Sequence, residues 1–341
     1  MQLSEHVTLA PYTTFGIGGP ARWFGEAATE SDILAGVAFA QERGLPLFVM
    51  GGGSNLLVSD AGFPGLVLHI GLKGIERHEE GILAVAAGED WDCFVSETVA
   101  GEYAGLECLA GIPGSVGGTP VQNVGAYGQE VSQSIVGVRA LDLHSGAFID
   151  LPASDCGFAY RRSIFNGAER GRYIVSRVTY KLSRYLEPLI SYPDLKRYFQ
   201  EWASLPTLTD VAVAVREIRR SKGMLLVDGD PDCASAGSFF KNPVVPDAVL
   251  ARVAAHSQGP VPRYDAGPGL NKIPAAWLLE HAGFSKGYAR ARAGISSRHT
   301  LALINRGGAS AAEVLALRDE IVDRVQSQYG IRLEPEPVFV G

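Results

Sequence analysis

Consecutive glycines occupy the segment GGGSN at residues 51–55, directly after a predicted buried strand at 45–50. Such a segment exposes successive backbone N–H groups with no side chains in the way, which suits a pyrophosphate. A tight strand-to-strand turn needs the same composition, so the segment alone fits either role. It is not a Rossmann fingerprint, because Leu56 occupies the position of the third glycine.

A second glycine-rich segment, GIPGSVGGTPVQNVGAYG, occupies residues 111–128. Thr119, Gln122, Asn123 and Tyr127 add side-chain donors to its many backbone N–H groups. Long loops without secondary structure are uncommon unless they are functional, so we expect this loop to bind a ligand rather than to act as a linker. Two glycine-rich cradles in one domain favour a large phosphate-bearing ligand such as a dinucleotide.

An arginine pair, Arg161 and Arg162, lies in the segment FAYRRSIF at 158–165. An arginine can hold a carboxylate or a phosphate through two parallel hydrogen bonds. Taken alone, however, such a pair is more often part of a solvated surface.

Polar side chains are also concentrated in two later segments. In AGSFFKNP at 236–243, Ser238, Lys241 and Asn242 lie beside two phenylalanines that would exclude water. An ordinary strand edge is the alternative. In LEPEP, the prolines stiffen an extended chain and remove backbone donors, so Glu336 is either held in one direction or simply solvated.

Composition excludes several functional classes. The 341-residue chain has 30 Lys and Arg against 37 Asp and Glu, a formal net charge of −7, whereas a general nucleic-acid binder needs a basic surface. The 7 histidines lack metal-binding spacing, so we predict no metal site. The sequence contains neither a P-loop nor a G-x-S-x-G hydrolase elbow. The residues alone therefore indicate a nucleotide-binding α+β enzyme.

Periodicity predicts the elements that position these segments. A helix at 30–43, with Thr29 as its N-cap, places Ile33, Leu34, Val37 and Ala38 on one apolar face. Further helices are predicted at 90–102, 208–220, 246–256, 273–282 and 311–328, and strands at 45–50, 66–70, 82–88, 136–143, 147–152, 173–182 and 331–341. For the helix at 311–328, Ser310 and Glu313 form a predicted capping box, Val314, Leu317, Ile321 and Val325 form the apolar stripe, and Gly330 is the stop.

Between Tyr185 and Trp202 the pattern becomes irregular and contains Pro188 and Pro193, which indicates a boundary between domains. The four cysteines are scattered, which predicts reduced thiols. Neither a signal peptide nor an apolar run of spanning length is found, so we expect a soluble cytoplasmic protein.

Together these segments resemble the UDP-N-acetylenolpyruvoylglucosamine reductase (MurB) family in its type I form, flavoenzymes of bacterial peptidoglycan precursor synthesis. The motifs cover nearly the whole chain in the family order, whereas GGGSN alone would also fit other flavoproteins of the vanillyl-alcohol-oxidase type. The matching motifs are YTTFGIG at 12–18, GGGSNLLV at 51–58, GLECLAGIPGSVGGTPVQNVGAYG at 105–128, FAYRRSIF at 158–165, AGSFFKNP at 236–243 and LEPE at 333–336.

The resemblance implies an α+β fold. Its N-terminal FAD-binding region, of the vanillyl-alcohol-oxidase (PCMH) type, would span 1–195 in two subdomains divided near 70–80. A C-terminal α+β substrate-binding domain would span 205–341 and carry Glu336 into the active site on its last strand.

The resemblance further implies non-covalently bound FAD and NADPH as hydride donor. NADPH would reduce the flavin and leave, after which hydride would reach the vinyl C3 of the enolpyruvyl ether of UDP-N-acetylglucosamine. The product would be UDP-N-acetylmuramate.

Residue roles follow from the same resemblance. Arg161 matches the cation near the substrate carboxylate, Ser238 the acid that protonates C2, and Glu336 the glutamate that orients the substrate near C2. The implied cofactor contacts are Gly51, Gly52, Gly53, Ser54, Asn55, Gly111, Pro113, Gly114, Gly117, Gly118, Thr119, Gln122, Asn123, Gly125, Ala126 and Tyr127. The implied substrate contacts are Tyr160, Tyr192, Lys222 and Asn242, with Tyr192 closing over the diphosphate.

For Arg219 and Arg220, the sequence favours neither contact with the flavin nor exposure to solvent over the other. The sequence departs from the family pattern at Thr13, Arg162, Pro337 and Val338. Pro337 and Val338 stand where the family commonly has a Val-Arg pair. The sequence therefore lacks a cation near the site, and it does not show which residue makes one phosphate or carboxylate contact.

Two other functions remain open at this point. A vanillyl-alcohol-oxidase-type flavin oxidase or dehydrogenase acting on another substrate would share both glycine-rich segments, but it has no need of Ser238 beside Arg161. A non-catalytic flavin or UDP-sugar sensor would bind without turnover. We expect a monomer with small-molecule partners and neither a nucleic-acid nor a membrane partner.

Overall fold

The computed structural model describes residues 1–184, 186–257 and 259–341, and these divide into two compact units. Both units are assembled from separate stretches of chain. The first contains Met1–Val7, Ala21–Gly53 and Pro64–Arg220, and the second contains Thr8–Pro20, Ser54–Phe63 and Ser221–Gly341.

Most helices lie where periodicity predicts them. They are α1 (Glu30–Glu42), α2 (Trp91–Ala100), α3 (Pro193–Tyr198), α4 (Leu208–Ser221), α5 (Asp247–Ala255), α6 (Ala275–His281) and α7 (Ala311–Tyr329). Within the described ranges, none of the helices has the length and apolar character needed to cross a membrane.

The strands complete a mixed fold, and the predicted α+β class is confirmed. Those of the first unit are β1 (Leu3–Thr8), β2 (Pro20–Ala27), β3 (Leu47–Met50), β5 (Phe63–Ile70), β6 (Ile75–Arg77), β7 (Ile82–Ala86), β8 (Tyr103–Ala104), β9 (Gly125–Ala126), β10 (Gln129–Glu130), β11 (Ile135–Asp142), β12 (Ala147–Pro152), β13 (Tyr173–Lys181) and β14 (Ser183–Arg184). Those of the second are β4 (Leu56–Val58), β15 (Val244–Pro246), β16 (Tyr264–Asp265), β17 (Leu270–Lys272), β18 (Ala289–Arg290), β19 (Ala293–Ile295), β20 (Leu303–Asn305) and β21 (Val338–Val340).

The first unit contains two larger sheets, with strand orders β1-β2-β5-β3 and β12-β11-β13-β7-β6. Strands β3 and β5 are parallel, and β11 pairs antiparallel with both β12 and β13. The chain passes from the first sheet to the second between Ile70 and Ile75. Trp91, Phe94 and Tyr180 are fully buried in the core of this unit.

In the second unit, helices cover small sheets of order β15-β17-β16 and β18-β19-β20. Strand β21 pairs parallel with β4, so the end of the chain lies beside residues 56–58. The apolar stripe of α7 is buried as predicted, with Val314, Leu317, Ile321 and Val325 all inaccessible to solvent. Its predicted capping box also forms.

The carboxylate of Asp60 adds a cap to α7 that the sequence analysis missed. It accepts the N–H groups of Ala311 at 2.8 Å and Ala312 at 3.1 Å. A negative charge at a helix N-terminus is favourable because it meets unpaired N–H groups and the positive end of the helix dipole. A residue far away in sequence thereby fixes the start of α7.

The buried face of α1 differs from the predicted apolar face. The Thr29 cap is present, and Ile33 and Val37 are buried, but Leu34 and Ala38 are exposed. The helix instead turns Gly36 inward, where a Cβ would lie 2.9 Å from Leu68 Cδ1. Close approach to strand β5 therefore decides which face is buried.

Residues 185–202 are more regular than predicted, because they contain α3. Tyr185 itself lies outside the described residues. Leu195 and Phe199 are buried in the core of the first unit, as is Val211 of α4. Because α3 and α4 pack in that core, the last stretch of the first unit ends at Arg220 and that of the second begins at Ser221. The sequence places the division earlier, at 195–205.

The predicted final strand at 331–341 is shorter in the structure. Only Val338–Val340 form β21, and Pro335 makes an isolated bridge to Phe240. Pro335 and Pro337 have no N–H group, so this stretch cannot form a continuous ladder.

Alanine substitutions on α1 test the orientation of the helix. Ile33→Ala should lower the free energy of unfolding by roughly 2–5 kcal/mol, because a fully buried aliphatic side chain is lost. Leu34→Ala is the matched control and should cost no more than about 1 kcal/mol, because this leucine is largely at the surface. Urea unfolding followed by circular dichroism measures both. Equal losses would contradict the orientation.

Candidate active site

The two glycine-rich segments meet within the first unit. A Cβ on Gly52 would lie 2.6 Å from Gly114 Cα, and one on Gly51 would lie 2.5 Å from Ser115 Oγ. The Gly52 N–H donates to Ser115 Oγ at 3.2 Å. Gly52, whose Cβ would meet the backbone of Gly114, is therefore required by the packing of one loop on the other, before any ligand is considered.

Gly117 and Gly118 differ in the space around them. A Cβ on Gly117 would lie 2.5 Å from Ala87 Cβ, whereas one on Gly118 would have Ser115 Oγ, at 4.0 Å, as its nearest neighbour. Gly118 is also exposed. An open, side-chain-free stretch of backbone at Gly118 fits the approach of a phosphate-bearing group.

Two predicted contact residues in this loop have side chains that bind the protein itself. Asn123 is buried, and its Nδ2 donates to Ala159 O at 3.1 Å and to Glu130 Oε2 at 2.8 Å. The hydroxyl of Thr119 lies 2.8 Å from that of Tyr180. Their side chains hold the loop in place, so a ligand would meet mainly its backbone.

Arg161 lies at the tip of a tight turn. Ala159 and Arg162, on either side of this tip, form two backbone hydrogen bonds with each other, of 2.9 and 3.0 Å. Arg161 has a φ of 53°, uncommon for a residue with a side chain, and its Nη2 donates to Gly125 O at 2.8 Å. Its guanidinium carbon lies 5.4 Å from the centre of the Tyr160 ring. The turn thus fixes a cation beside strand β9.

Tyr127 and Tyr192 form an edge-to-face pair with ring centres 5.4 Å apart. Burial raises the pKa of Tyr127 to about 12, so its phenol stays neutral. Tyr192 precedes α3 and is 37% exposed. Tyr127 therefore supports a surface tyrosine whose ring is accessible to a ligand.

Arg219 contacts the glycine-rich loop. Its Nε donates to Gly111 O at 2.9 Å, and burial lowers the pKa of its guanidinium. Asp92 accepts both the Gly111 N–H and Arg216 Nη2, each at 2.6 Å. Arg220 is exposed. Of the two arginines, Arg219 is the one at the candidate cofactor loop.

In the second unit, Thr14 and Asn55 connect three segments of the site. Thr14 Oγ1 donates to Ser235 O at 2.6 Å and lies 3.3 Å from Ser54 O. Asn55 Nδ2 donates to Glu336 O at 3.2 Å. The sequence analysis assigned no role to Thr14, although its motif, YTTFGIG, was the available signal.

Ser238 and Glu336 lie on neighbouring stretches of chain. The Glu336 N–H donates to Phe239 O at 2.8 Å, and the Lys241 N–H donates to Glu334 O at 2.9 Å. Lys241 Nζ also contacts Glu334 Oε1 at 2.7 Å. The segments that carry two of the predicted catalytic residues are thus paired through their main chains, and Ser238 is half-buried.

Asn242 and Lys222 occupy different surroundings. Asn242 Oδ1 accepts the Ala275 N–H at 2.9 Å at the start of α6, which fixes the orientation of the amide. Lys222 is half-buried. Burial, Lys222 and Lys286 together lower the pKa of His299 to about 4, so His299 is neutral at pH 7. No motif in the sequence singled out His299.

Comparison with known proteins supplies the family. The model for the C-terminal domain of UDP-N-acetylenolpyruvoylglucosamine reductases matches residues 230–340. The reductase of Thermobifida fusca (strain YX) is 45% identical over 99% of this chain and 98% of its own length. That of Streptomyces coelicolor is 46% identical over 98% of this chain and 89% of its own length. This chain belongs to the UDP-N-acetylenolpyruvoylglucosamine reductase family.

Two further comparisons support the fold expected of this reductase family. The model for FAD binding domains matches residues 23–151, which confirms the predicted N-terminal FAD-binding region. A crystal structure of the reductase from Thermus caldophilus aligns over 100% of both chains with a TM-score of 0.69 and 28% identity.

The structure shows the surroundings of each residue at which the sequence analysis noted a departure from the family pattern. Thr13 is buried, and its hydroxyl lies 3.1 Å from Ala10 O and 3.0 Å from Ile17 O, so it stabilises the turn before strand β2. Arg162 is exposed. Pro337 and Val338 form the passage into β21, where Val338 pairs with Leu56.

Valine substitutions at adjacent glycines test whether FAD approaches the loop. Gly118→Val should leave the protein folded but largely colourless, because its side chain enters open space needed by the cofactor. Gly117→Val should instead lower stability by roughly 1–3 kcal/mol, because it overpacks against Ala87. Flavin absorbance per protein and thermal melting measure the two effects. Full FAD occupancy in folded Gly118→Val would remove Gly118 from the cofactor site.

Proposed function

We propose that this chain reduces UDP-N-acetyl-3-O-(1-carboxyvinyl)-glucosamine to UDP-N-acetylmuramate with NADPH as reductant, a step in peptidoglycan precursor synthesis. The full-length similarity to two reductases supports this reaction. The observation that carries the residue roles is the pairing of the Ser238 segment with the Glu336 segment through the 2.8 Å bond from Glu336 N to Phe239 O.

The backbone of Gly51–Gly53 and of residues 111–118 would hold the FAD pyrophosphate without a covalent link. The open space at Gly118 and the Arg219 cation on Gly111 both fit an anionic group. When bound, FAD supplies the hydride that is taken from NADPH and delivered to vinyl C3. Arg219 then offsets phosphate charge in a partly dehydrated place.

Arg161 stabilises the charge that develops on the substrate. Addition of hydride at C3 leaves negative charge at C2, which delocalises into the pyruvyl carboxylate. A cation held in advance near that carboxylate lowers the barrier without reorganising during the reaction. Two contacts hold the Arg161 guanidinium in one orientation. They are the hydrogen bond from Arg161 Nη2 to Gly125 O and the tight turn closed by Ala159 and Arg162.

Ser238 donates the proton that C2 then takes up, and Glu336 binds and orients the substrate near C2. A serine hydroxyl is a weak acid, so its value here lies in its placement beside a carbanion-like centre. The two segments are linked by backbone hydrogen bonds, which limits movement of one residue relative to the other.

Tyr192 and Lys222 bind the substrate diphosphate, with Tyr160 and Asn242 as further contacts. Tyr192 is 37% exposed, and its ring packs edge-to-face on Tyr127. A lysine and a tyrosine hydroxyl both donate hydrogen bonds to phosphate oxygens.

We place the reaction in the cytoplasm, where UDP-sugars and NADPH are made, and expect a monomer. Through its product the protein would serve cell-wall biogenesis, cell shape, the cell cycle and cell division. The chain's net charge of −7 disfavours a nucleic-acid partner.

Product analysis separates the proposed reaction from an oxidase. Purified protein incubated in air with NADPH and the enolpyruvyl sugar should yield UDP-N-acetylmuramate, identified by mass spectrometry. Hydrogen peroxide without a reduced sugar would favour a flavin oxidase, and binding without either product would favour a sensor.

Ser238→Ala tests the proton donor through the two half-reactions. Reduction of FAD by NADPH should stay near the unmodified rate, because the serine acts only after hydride reaches C3. Reoxidation by the sugar should slow by about 10²–10⁴-fold, as for a lost general acid. Ser238→Cys should restore part of the rate, because a thiol also delivers a proton. Stopped-flow flavin absorbance resolves both phases, and equal slowing of both would exclude Ser238 as donor.

Tyr192→Phe tests the diphosphate contact. It should weaken binding of the UDP-sugar by roughly 1.5–3 kcal/mol, the loss of a hydrogen bond to a charged group. Tyr264→Phe, at another exposed tyrosine, is the matched control and should leave binding unchanged. Calorimetric titration measures the UDP-sugar affinity of both variants. Equal affinities would mean that Tyr192 does not contact the diphosphate and is an ordinary surface residue.

A further inference from the structure

Arg298 in the second unit lies between two aspartates that the reaction above does not use. Its Nε donates to Asp232 Oδ2 at 2.9 Å, and its Nη2 contacts both carboxylate oxygens of Asp230. Ser297 also donates to Asp232, from its N–H at 3.2 Å and its hydroxyl at 2.7 Å. These partly buried groups form a network in which both aspartates are paired.

The network closes the loop that runs between Lys222 and Ser235. The loop is joined at its ends by a contact of 2.8 Å from Cys233 Sγ to Leu225 O. Arg298 belongs to the turn between β19 and β20, so its side chain fastens this loop to that turn. The loop, all of which the structure describes, contains no helix or strand, and the side-chain network restrains it together with backbone hydrogen bonds such as that from Cys233 N–H to Asp230 O.

Gly223 places the network directly beside Lys222. Gly223 has a φ of +65°, and a Cβ there would lie 3.1 Å from both Arg298 Nε and Asp232 Cβ. The backbone adjacent to Lys222 therefore rests on the Arg298–Asp232 pair. A change in that pair therefore alters the packing against the backbone to which the Lys222 side chain is attached.

Charge gives the network a second effect on Lys222. Asp232 lies against the backbone next to Lys222, so negative charge left uncompensated on these carboxylates would repel an incoming diphosphate. Hydrogen bonds from Arg298 lower the pKa of Asp230, and those from Ser297 and Arg298 outweigh burial to lower that of Asp232, so both stay ionised. The guanidinium offsets this negative charge where it would oppose substrate binding.

We propose that Arg298 is a positioning residue for substrate binding, which acts through Lys222 by bracing Gly223 and by neutralising Asp230 and Asp232. The inference rests on the proposed function, because the diphosphate contact of Lys222 belongs to it. Arg298 itself need not touch the substrate.

Titration of the FAD-loaded protein with the enolpyruvyl sugar tests this role. Arg298→Gln should raise the sugar Kd by roughly 2- to 30-fold, the range typical of residues that act through a packed network. Arg298→Lys should recover part of the affinity, because it keeps a cation beside the carboxylates. It also keeps the test usable if Arg298→Gln fails to fold.

Arg172→Gln is a matched control from the first unit. Arg172 likewise binds two carboxylates, those of Asp142 and Glu169, at 2.9–3.2 Å. Its substitution should lower the melting temperature but leave the sugar Kd unchanged. An equal rise in Kd for Arg172→Gln and Arg298→Gln would reduce Arg298 to a contributor to stability.

A double-variant cycle with Lys222→Ala decides the route of action. If Arg298 acts through Lys222, Arg298→Gln should change the sugar Kd by less than about twofold once Lys222 is alanine. A full additional loss would overturn the proposal while leaving the reaction intact. An unchanged Kd in Lys222→Ala would overturn it too, because no diphosphate contact would remain to be positioned. Absence of sugar binding in the unmodified protein would instead reject the proposed function itself.

Discussion

Contact between backbone and backbone, with no space for a Cβ, is the constraint on which the first unit depends. The point where a Gly52 Cβ would stand is 2.6 Å from Gly114 Cα, and the corresponding point at Gly117 is 3.1 Å from both Ala87 Cα and Ala87 O. Backbone hydrogen bonds from Val116 N–H to Glu89 O and from Gly117 N–H to Ala87 O then fix the loop on the segment that follows β7. These contacts within the protein set the course of the loop and leave open space at Gly118.

In the second unit, the side chains of the candidate site lie on irregular segments that neighbouring stretches of chain hold in place. Main-chain pairing sets the Ser238 and Glu336 segments side by side, and Thr14 ties the N-terminal part of the chain to Ser235. An ionic network around Arg298 completes this arrangement on the Lys222 side. A weak acid such as serine needs this kind of restraint, because its contribution depends on distance and direction more than on its pKa.

Much of the local structure could be predicted from the sequence because its signals are local. The Thr29 cap and the Ser310–Glu313 capping box require only neighbouring residues, and both form. The exposed position of Leu34 could not be predicted, because it follows from the approach of Gly36 to a strand distant in sequence. The Asp60 cap on α7 could not be predicted either, because Asp60 is distant in sequence from the start of that helix.

In the candidate site too, some features could be predicted from the sequence and others required the structure. The motifs around Arg161, Ser238 and Glu336 identified the family, and their residue types suit an addition that builds charge beside a carboxylate. The sequence could not show that Gly52 is required by loop packing, nor that Asn123 binds the protein through its side chain. Both facts depend on contacts between residues distant along the chain.

A single turnover in the absence of oxygen tests the central claim most directly. The account predicts that NADPH bleaches the protein-bound flavin, that the colour stays lost without a second substrate, and that the enolpyruvyl sugar restores it while UDP-N-acetylmuramate forms in an amount equal to the flavin reoxidised. Colour that returns on admission of air but not on addition of the sugar would contradict it.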